Sequence, residues 1–360
     1  MKHRSLILLI LPALLCFPLF SSAQTADICI EATKEESPSK RVVLYSQCIL
    51  AEHSSDSNLA IAYYGRGQAY IGIGELEKAR LDYSKAIEYN PNYSDAYLYR
   101  GALLNELHEY GDAVRDFDKV ISFNPGFAKA YSGRGFALFE LGLYSMALSD
   151  FDKIVVLTPG KAASYRDRGF IHERMGNYTK AIADYTKVLE INTKDGHTYS
   201  RLGYCYYQLG NHDLALKSFN EAIQINPENA ETYAYQGLTF HSQGKYQQAA
   251  DAYSKALQIS PDHALTLNNY AWLLITAKLP EFRNVTQALD FATKAVKLTE
   301  EKNPSFLDTL AAVYAALNQF DNAVQIQTKA VEIIEKDNLE NLIVDARRVL
   351  QSYKQGVKYY

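Results

Sequence analysis

The residues of this 360-residue chain that could do chemistry are its eight histidines, four cysteines, charged pairs and 28 tyrosines. Metal binding by imidazole needs ligands that converge, most simply two histidines one helical turn apart. No histidines stand four residues apart here, and His172, beside Glu173, has no second histidine near it in sequence. They are read as solvated or packing residues. Gly65-Arg66-Gly67 and Gly72-Ile73-Gly74 could suggest a phosphate loop, but both recur at fixed positions inside or at the end of a predicted helix, where packing explains them. No serine, cysteine or carboxylate stands out as a nucleophile or general acid, so the chain is read as no enzyme, with no cofactor and no metal. The tyrosines could stack on bases or sugars, yet a formal charge of −4 gives no sign of a nucleic-acid partner.

The N-terminus has the parts of a secretory signal: Lys2 and Arg4, an apolar run from Leu6 to Phe20, then Ser21, Ser22 and Ala23. Cleavage after Ala23 is expected, leaving a charge of −6 once Lys2 and Arg4 are gone. A retained anchor is the rival, but the run is shorter than the roughly 20 residues that span a bilayer, and Pro12 and Pro18 interrupt it. No integral membrane segment is expected after cleavage, and the mature chain is expected in the periplasm or secreted. It keeps Cys29, Cys48 and Cys205. An oxidising compartment allows Cys29 and Cys48 to staple a small helical cap; two buried thiols are the alternative. Cys205 reads as a small core residue.

The elements that position these residues are set by a period. Gly67, Gly101, Gly135, Gly169, Gly203 and Gly237 are 34 residues apart, and so are Ala79, Ala113, Ala147, Ala181, Ala215 and Ala249. Two aromatic series keep the same interval: Tyr63, Tyr97, Tyr131, Tyr165, Tyr199 and Tyr233, then Tyr83, Phe117, Phe151, Tyr185, Phe219 and Tyr253. Small residues let two helices approach, and rings fill the space between neighbouring pairs. Gly74, Gly142, Gly176, Gly210 and Gly244 mark the turn inside each pair. Pro91, Pro125, Pro159, Pro227 and Pro261 end it.

This pattern resembles the tetratricopeptide repeat (TPR) family. The resemblance implies an all-α fold, a right-handed α-solenoid of about eight helix-turn-helix repeats with N- and C-terminal caps. The expected division is a signal peptide at 1–23 and a divergent helical cap at 24–58. Repeats follow over 60–336, at 60–93, 94–127, 128–161, 162–195, 196–229, 230–263, 264–303 and 304–337, then a capping helix at 338–360. In the seventh repeat Ala271 replaces the glycine and five extra residues lengthen the turn around Leu279 to Asn284. Asn268, Asn269 and the only tryptophan, Trp272, lie beside that turn. They read either as a contact site or as capping and packing residues.

Charge follows the repeat as well. Arg66, Arg100, Arg134 and Arg168 each precede a packing glycine, while Asp82, Asp116, Asp150 and Asp184 each precede a second-helix ring. In repeats five and six both partners vanish together, as Leu202 with Ser218 and Gln236 with Ala252. A ladder of ion pairs, within or between hairpins, is expected in place of a basic binding stripe.

In this family function usually lies on the concave surface formed by the first helices. That implies a partner-binding groove containing Asn105, Phe136, Phe139, Glu140, Arg166, Phe170, Glu173, Arg174, Tyr204 and Tyr207. The five rings would make a continuous aromatic patch rimmed by Glu140, Glu173, Arg166 and Arg174, unless they pack against neighbouring hairpins. The lysine and asparagine clamp that some relatives use for a C-terminal carboxylate is missing, since Tyr64 and Gln68 stand there. The expected role is an exported scaffold that holds a protein or peptide partner in an envelope or secreted complex. The alternative is an assembly factor docked on an outer-membrane or polysaccharide-export machine.

Overall fold

A computed structural model describes residues 22–51, 55–337 and 339–359 of the chain. The leader expected over 1–23 lies outside the described residues up to position 21; Ser22 and Ala23 already belong to helix α1. Among the described residues all regular structure is helical, and no helix is long and apolar enough to cross a membrane. The chain divides at Thr158 and Pro159 into two compact units.

The first unit opens with a hairpin of α1 (Ser22–Lys34) and α2 (Pro38–Leu50), joined by the disulfide Cys29–Cys48 with a Cα–Cα distance of 5.5 Å. Three further hairpins follow: α3 (Asp56–Gly72) with α4 (Leu76–Tyr89), α5 (Ser94–Glu106) with α6 (Tyr110–Phe123), and α7 (Ala128–Glu140) with α8 (Tyr144–Leu157). The second unit continues with α9 (Ala162–Arg174) and α10 (Tyr178–Ile191), α11 (Gly196–Gln208) and α12 (His212–Ile225), then α13 (Ala230–Ser242) and α14 (Tyr246–Ile259). It ends with α15 (Ala264–Thr276) and α16 (Val285–Leu298), α17 (Pro304–Ala316) and α18 (Phe320–Lys336), and the single helix α19 (Glu340–Lys354). Each unit is a solenoid of helical hairpins, in which stacking neighbours supply the apolar cover that one hairpin lacks.

Packing within a hairpin rests on the absence of side chains. Ala79, Ala113, Ala147, Ala181, Ala215 and Ala249 are all fully buried. At Gly203 an added Cβ would come within 2.6 Å of the Phe219 ring, so only glycine lets α11 lie this close to α12. The turn glycines do different work. Gly74, Gly142, Gly176, Gly210 and Gly244 have φ between +71° and +78°, the left-handed conformation that reverses the chain after a helix. In the second repeat His108 holds that position at φ +61°, with its Nδ1 2.7 Å from the Tyr110 hydroxyl. Asn318 does so in the eighth repeat at +60°.

The lengthened turn of the seventh repeat forms a short 3-10 segment, Pro280–Phe282. Arg283 Nε donates to the Ala277 carbonyl at 2.7 Å, Asn284 N donates to the Leu274 carbonyl at 3.1 Å, and the Phe282 ring packs on Tyr246. The insertion is therefore folded back by backbone bonds onto its own hairpin, with Phe282 resting on α14 of the preceding one. At the C-terminus Val349 and Tyr353 of α19 cover Ala311, Ala315 and Ala323.

The disulfide closes a loop with a sequence separation of 19 and should stabilise the cap by about 3 kcal/mol. Replacing both cysteines by alanine should lower the first melting transition without altering the rest of the solenoid. Cys205 is fully buried and burial pushes its thiol up to about 12. In a chain begun at Gln24, which lacks Cys16, a thiol reagent at neutral pH should therefore leave the folded protein unlabelled and label Cys205 only after denaturation. Rapid labelling of the native chain would contradict both assignments.

Candidate functional site

The tightest polar geometry belongs to the arginines that precede the packing glycines. In the first unit Arg66 Nε and Nη2 donate to the two Asp82 oxygens, both at 2.8 Å. Arg100 grips Asp116 at 2.8 and 2.7 Å, and Arg134 grips Asp150 at 2.9 and 2.6 Å. In the second unit Arg168 holds Asp184 at 2.9 and 2.6 Å. Each is a two-pronged fork on a carboxylate, the arrangement in which guanidinium binds strongly. All four aspartates are at most 5% exposed, and each arginine lies over the tyrosine three residues before it, at 5.3 to 5.9 Å from the ring centre. Hydrogen bonding to the aspartates raises the guanidinium pKa of Arg66, Arg100 and Arg134 above its usual value.

In Arg66, Arg100 and Arg134 the third nitrogen works between hairpins. Nη1 of Arg66 donates to Ser46 Oγ at 3.1 Å, that of Arg100 to Ser84 Oγ at 3.0 Å, and that of Arg134 to Asp118 Oδ1 at 2.5 Å. Ser84 and Asp118 stand one period apart. The same slot is Asn220 in the fifth repeat, and there Gln236 Nε2 donates to Asn220 Oδ1 at 2.8 Å. The link between hairpins thus survives in the sixth repeat as a neutral amide pair, after the buried aspartate has given way to Ala252.

The first-helix residues separate into two groups. In the first unit Phe136 is 44% exposed and meets Tyr110 edge-on at 6.2 Å, while Phe139 is half-buried with its ring 5.4 Å from Tyr144. Glu140 is exposed beside them. Asn105 Nδ2 donates to the Gly133 carbonyl at 2.9 Å, tying α5 to α7. In the second unit Phe170 is 38% exposed, Arg174 is exposed, and Arg166 donates to Asp195 at 2.7 Å.

Glu173 departs from the expected rim. It is only 5% exposed, accepting from Tyr185 Oη at 2.9 Å and from Arg201 Nε at 3.0 Å, with Arg201 Nη2 on its other oxygen. A buried carboxylate needs such neutralisation, and with it Glu173 is unavailable to a partner. Tyr204 also departs from an open groove. Its ring packs between Tyr178 at 6.3 Å and Tyr235 at 4.9 Å under the Arg201 guanidinium, and burial pushes its hydroxyl up to about 12. Tyr207 is half-buried against His212, with its hydroxyl 3.3 Å from Ser242 Oγ. Packing between hairpins therefore claims Tyr204 and part of Tyr207, and the exposed rings are those of Phe136 and Phe170.

Arg201 is the residue that sequence reasoning missed. It sits one position before Leu202, the slot where the arginine series ends, so the series appeared to stop. The available signal was a carboxylate, Glu173, in a first-helix slot that holds Asn105 and Phe139 in the two preceding repeats. No group of three or more His, Cys, Asp and Glu side chains that could hold a metal occurs among the described residues.

Sequence profiles described as tetratricopeptide repeat match residues 60–93, 83–115, 160–228, 195–262 and 305–337. Together they cover more than half of the chain. It belongs to the tetratricopeptide repeat family. No curated protein matches the sequence. Among solved structures, a TPR protein from Parabacteroides merdae is 18% identical with a TM-score of 0.50, covering 69% of this chain and 96% of its own. YrrB, described as a TPR protein with an unusual peptide-binding site, is 25% identical with a TM-score of 0.44, covering 51% of this chain and 95% of its own. Pseudomonas aeruginosa pilF is 18% identical with a TM-score of 0.48, covering 59% and 97%. The Parabacteroides likeness is one of fold, a TPR solenoid.

Two measurements test the electrostatics of this TPR chain. Asp116→Ala leaves Arg100, whose side chain is 21% exposed, without its main acceptor, and should cost about 2–3 kcal/mol. Asp118→Ala removes a carboxylate that is 51% exposed and should cost less than about 1 kcal/mol. Equal losses in chemical denaturation would refute the distinction. Burial lowers the pKa of His241 and of His263 below 6.5. The unfolded chain then binds more protons than the folded one, so stability falls as pH drops below 6.5. The melting temperature should decline between pH 7 and 5.5, and less steeply in His241→Gln.

Proposed function

We propose that this chain is an exported, non-catalytic scaffold that holds a polypeptide partner against the faces of its first helices, within an envelope or secreted complex. The observation that carries this reading is the pair Phe136 and Phe170. They occupy the same repeat position one period apart, each directly after a packing glycine, and each leaves more than a third of its surface in water. Arg134, Arg166 and Arg168 nearby are already engaged by acids of the chain itself. What each unit offers a partner at this position is a partly exposed phenyl ring, that of Phe170 lying 5.9 Å from the Arg201 guanidinium that Glu173 neutralises, and covering such a ring fully is worth about 2 kcal/mol.

Export is supported by the basic, apolar and small-residue succession of residues 1–23 and by the Cys29–Cys48 disulfide, which suits an oxidising compartment. The family supports binding in place of catalysis: tandem hairpins present extended surfaces, and no enzyme signature accompanies them here.

The test is capture of partners from the exported fraction of the native host by the full chain and by Phe136→Ala/Phe170→Ala, with mass spectrometry as the readout. A partner retained in near-stoichiometric amount by the wild type should be lost by the variant. Both rings are more than half covered, Phe136 by contact with Tyr110 and Phe170 by contact with Arg201, so the double substitution should cost about 1–3 kcal/mol and leave helix content unchanged. A partner held equally by both proteins, or a loss of helix content in the variant, would overturn the reading.

A further inference from the structure

The eighth hairpin breaks a packing rule that the first six obey. Sixteen residues after the packing glycine, each of those six places a ring: Tyr83, Phe117, Phe151, Tyr185, Phe219 and Tyr253. In α17 and α18 the same spacing joins Ala311 to Gln327, whose amide is fully buried in the ring's place. Three residues before Ala311 stands Asp308, in a slot that holds no acid in any earlier repeat. Gln327 Nε2 donates to Asp308 Oδ1 at 2.9 Å and to the Ala346 carbonyl of α19 at 3.3 Å. A carbonyl can only accept, so the amide cannot be turned over, and Gln327 Oε1 is the atom left without a partner.

A cavity of about 410 Å³ between α17, α18 and α19 opens on this pair. Asp308 and Gln327 both line it, and Ile334, Leu342, Val349 and Tyr359 supply an apolar wall. Its size lies in the range of small-ligand sites, roughly 300–1,000 Å³. Asp308 is half-buried; burial raises the pKa of its carboxyl, and only the bond from Gln327 opposes the rise. The basic side chains nearby are engaged elsewhere: Arg348 with Asp345 at 3.0 Å, Arg347 with Glu335 at 2.6 Å, and Lys358 with the Ala316 carbonyl at 3.1 Å. Asp82, Asp116, Asp150 and Asp184 each receive an arginine fork. Asp308 has an amide and a cavity instead.

We propose that this cavity in the C-terminal cap binds a primary alkylammonium group, with Asp308 as its counter-ion, Gln327 holding the carboxylate in place, and the apolar wall around the stem. The unsatisfied oxygens here accept and none donates, so the ligand must bring N–H groups, and an anion would be repelled by Asp308. A guanidinium fork needs both oxygens of one carboxylate, and Gln327 takes one of them. A divalent cation needs several more oxygens, and no cluster of three or more His, Cys, Asp and Glu side chains fit for a metal occurs among the described residues. An ammonium is a compact charge whose three donors need no fixed plane. It is the end of a lysine side chain or of a free alkylamine. This site does not depend on Phe136, Phe170 or the reading of the first-helix face.

The full chain is titrated calorimetrically at neutral pH and constant ionic strength with n-pentylammonium and with N-acetyl-lysine methylamide. The neutral counterparts are n-hexanol and N-acetyl-norleucine methylamide. Saturable binding of an ammonium probe is expected, at least about tenfold tighter than its counterpart. Binding of the lysine probe makes the site one for a partner's lysine, and binding of n-pentylammonium alone makes it one for a free amine. Asp308→Asn keeps an acceptor for the Gln327 NH2 and removes the charge, so binding should fall at least about tenfold. Its melting temperature should not fall, since a carboxylate whose pKa is raised by burial weakens the fold at neutral pH. Gln327→Met, with its helix content checked, should weaken binding as well. Asp321→Asn removes an exposed acid of α18 outside the cavity and should leave binding unchanged. No saturable ammonium binding, equal affinity for the neutral counterparts, binding unchanged in Asp308→Asn, or equal losses in Asp308→Asn and Asp321→Asn would each overturn the assignment.

Discussion

The second-helix ring pressed against a first-helix glycine is the contact on which the rest depends. Where Phe219 lies under Gly203, an added Cβ would fall within 2.6 Å of the ring, and where Tyr253 lies under Gly237, within 2.7 Å. Close approach on one side of the first helix fixes the positions of its neighbours along the sequence. The residue just before the glycine is carried toward the second helix, and there an arginine meets an aspartate. The residue just after it is carried to the opposite side, where Phe136 and Phe170 stand exposed. A single steric constraint, repeated every 34 residues, thus assigns one flank to structure and the other to contact.

The structural flank shows why its charges tolerate burial. An isolated buried aspartate would be expensive, but each of these accepts both prongs of a guanidinium that also lies over a tyrosine ring, and those of Arg66, Arg100 and Arg134 reach the previous hairpin as well. The fork satisfies the acid inside the hairpin, and the third nitrogen joins hairpins. Those two functions are separable. In the sixth repeat Ala252 removes the acid, Gln236 replaces the arginine, and the amide bond to Asn220 preserves only the link between hairpins. Specific hydrogen bonding between repeats thus continues where the buried ion pair is gone, which argues that the inter-hairpin link carries a role of its own.

Helices, turns and the arginine–aspartate forks were legible because each is a property of a position repeated at a constant interval. Ala79 and its five equivalents are small for one reason and buried to one extent. Glu173 was not legible as a buried acid, because its partner Arg201 lies outside the arginine series and comes from the next hairpin. The fate of Tyr204 was hidden for a related cause: the ring that covers it, Tyr235, belongs to a slot that holds Gly133 three repeats earlier and admits rings only in some hairpins. Period reveals what is shared among repeats. It is silent on pairs that occur once, and groove chemistry consists of such pairs.

In a stack where each hairpin touches only its neighbours, an altered slot affects two hairpins and leaves the rest intact. The slots beneath the first-helix face of the second unit have diverged in that way. Between the fourth and fifth repeats the contact is made by Glu173 and Arg201, between the fifth and sixth by Phe219 against Tyr235, and between the sixth and seventh by Tyr253 against Tyr270. Each of these changes is confined to the hairpins that meet there, against a background of fully packed alanines and rings.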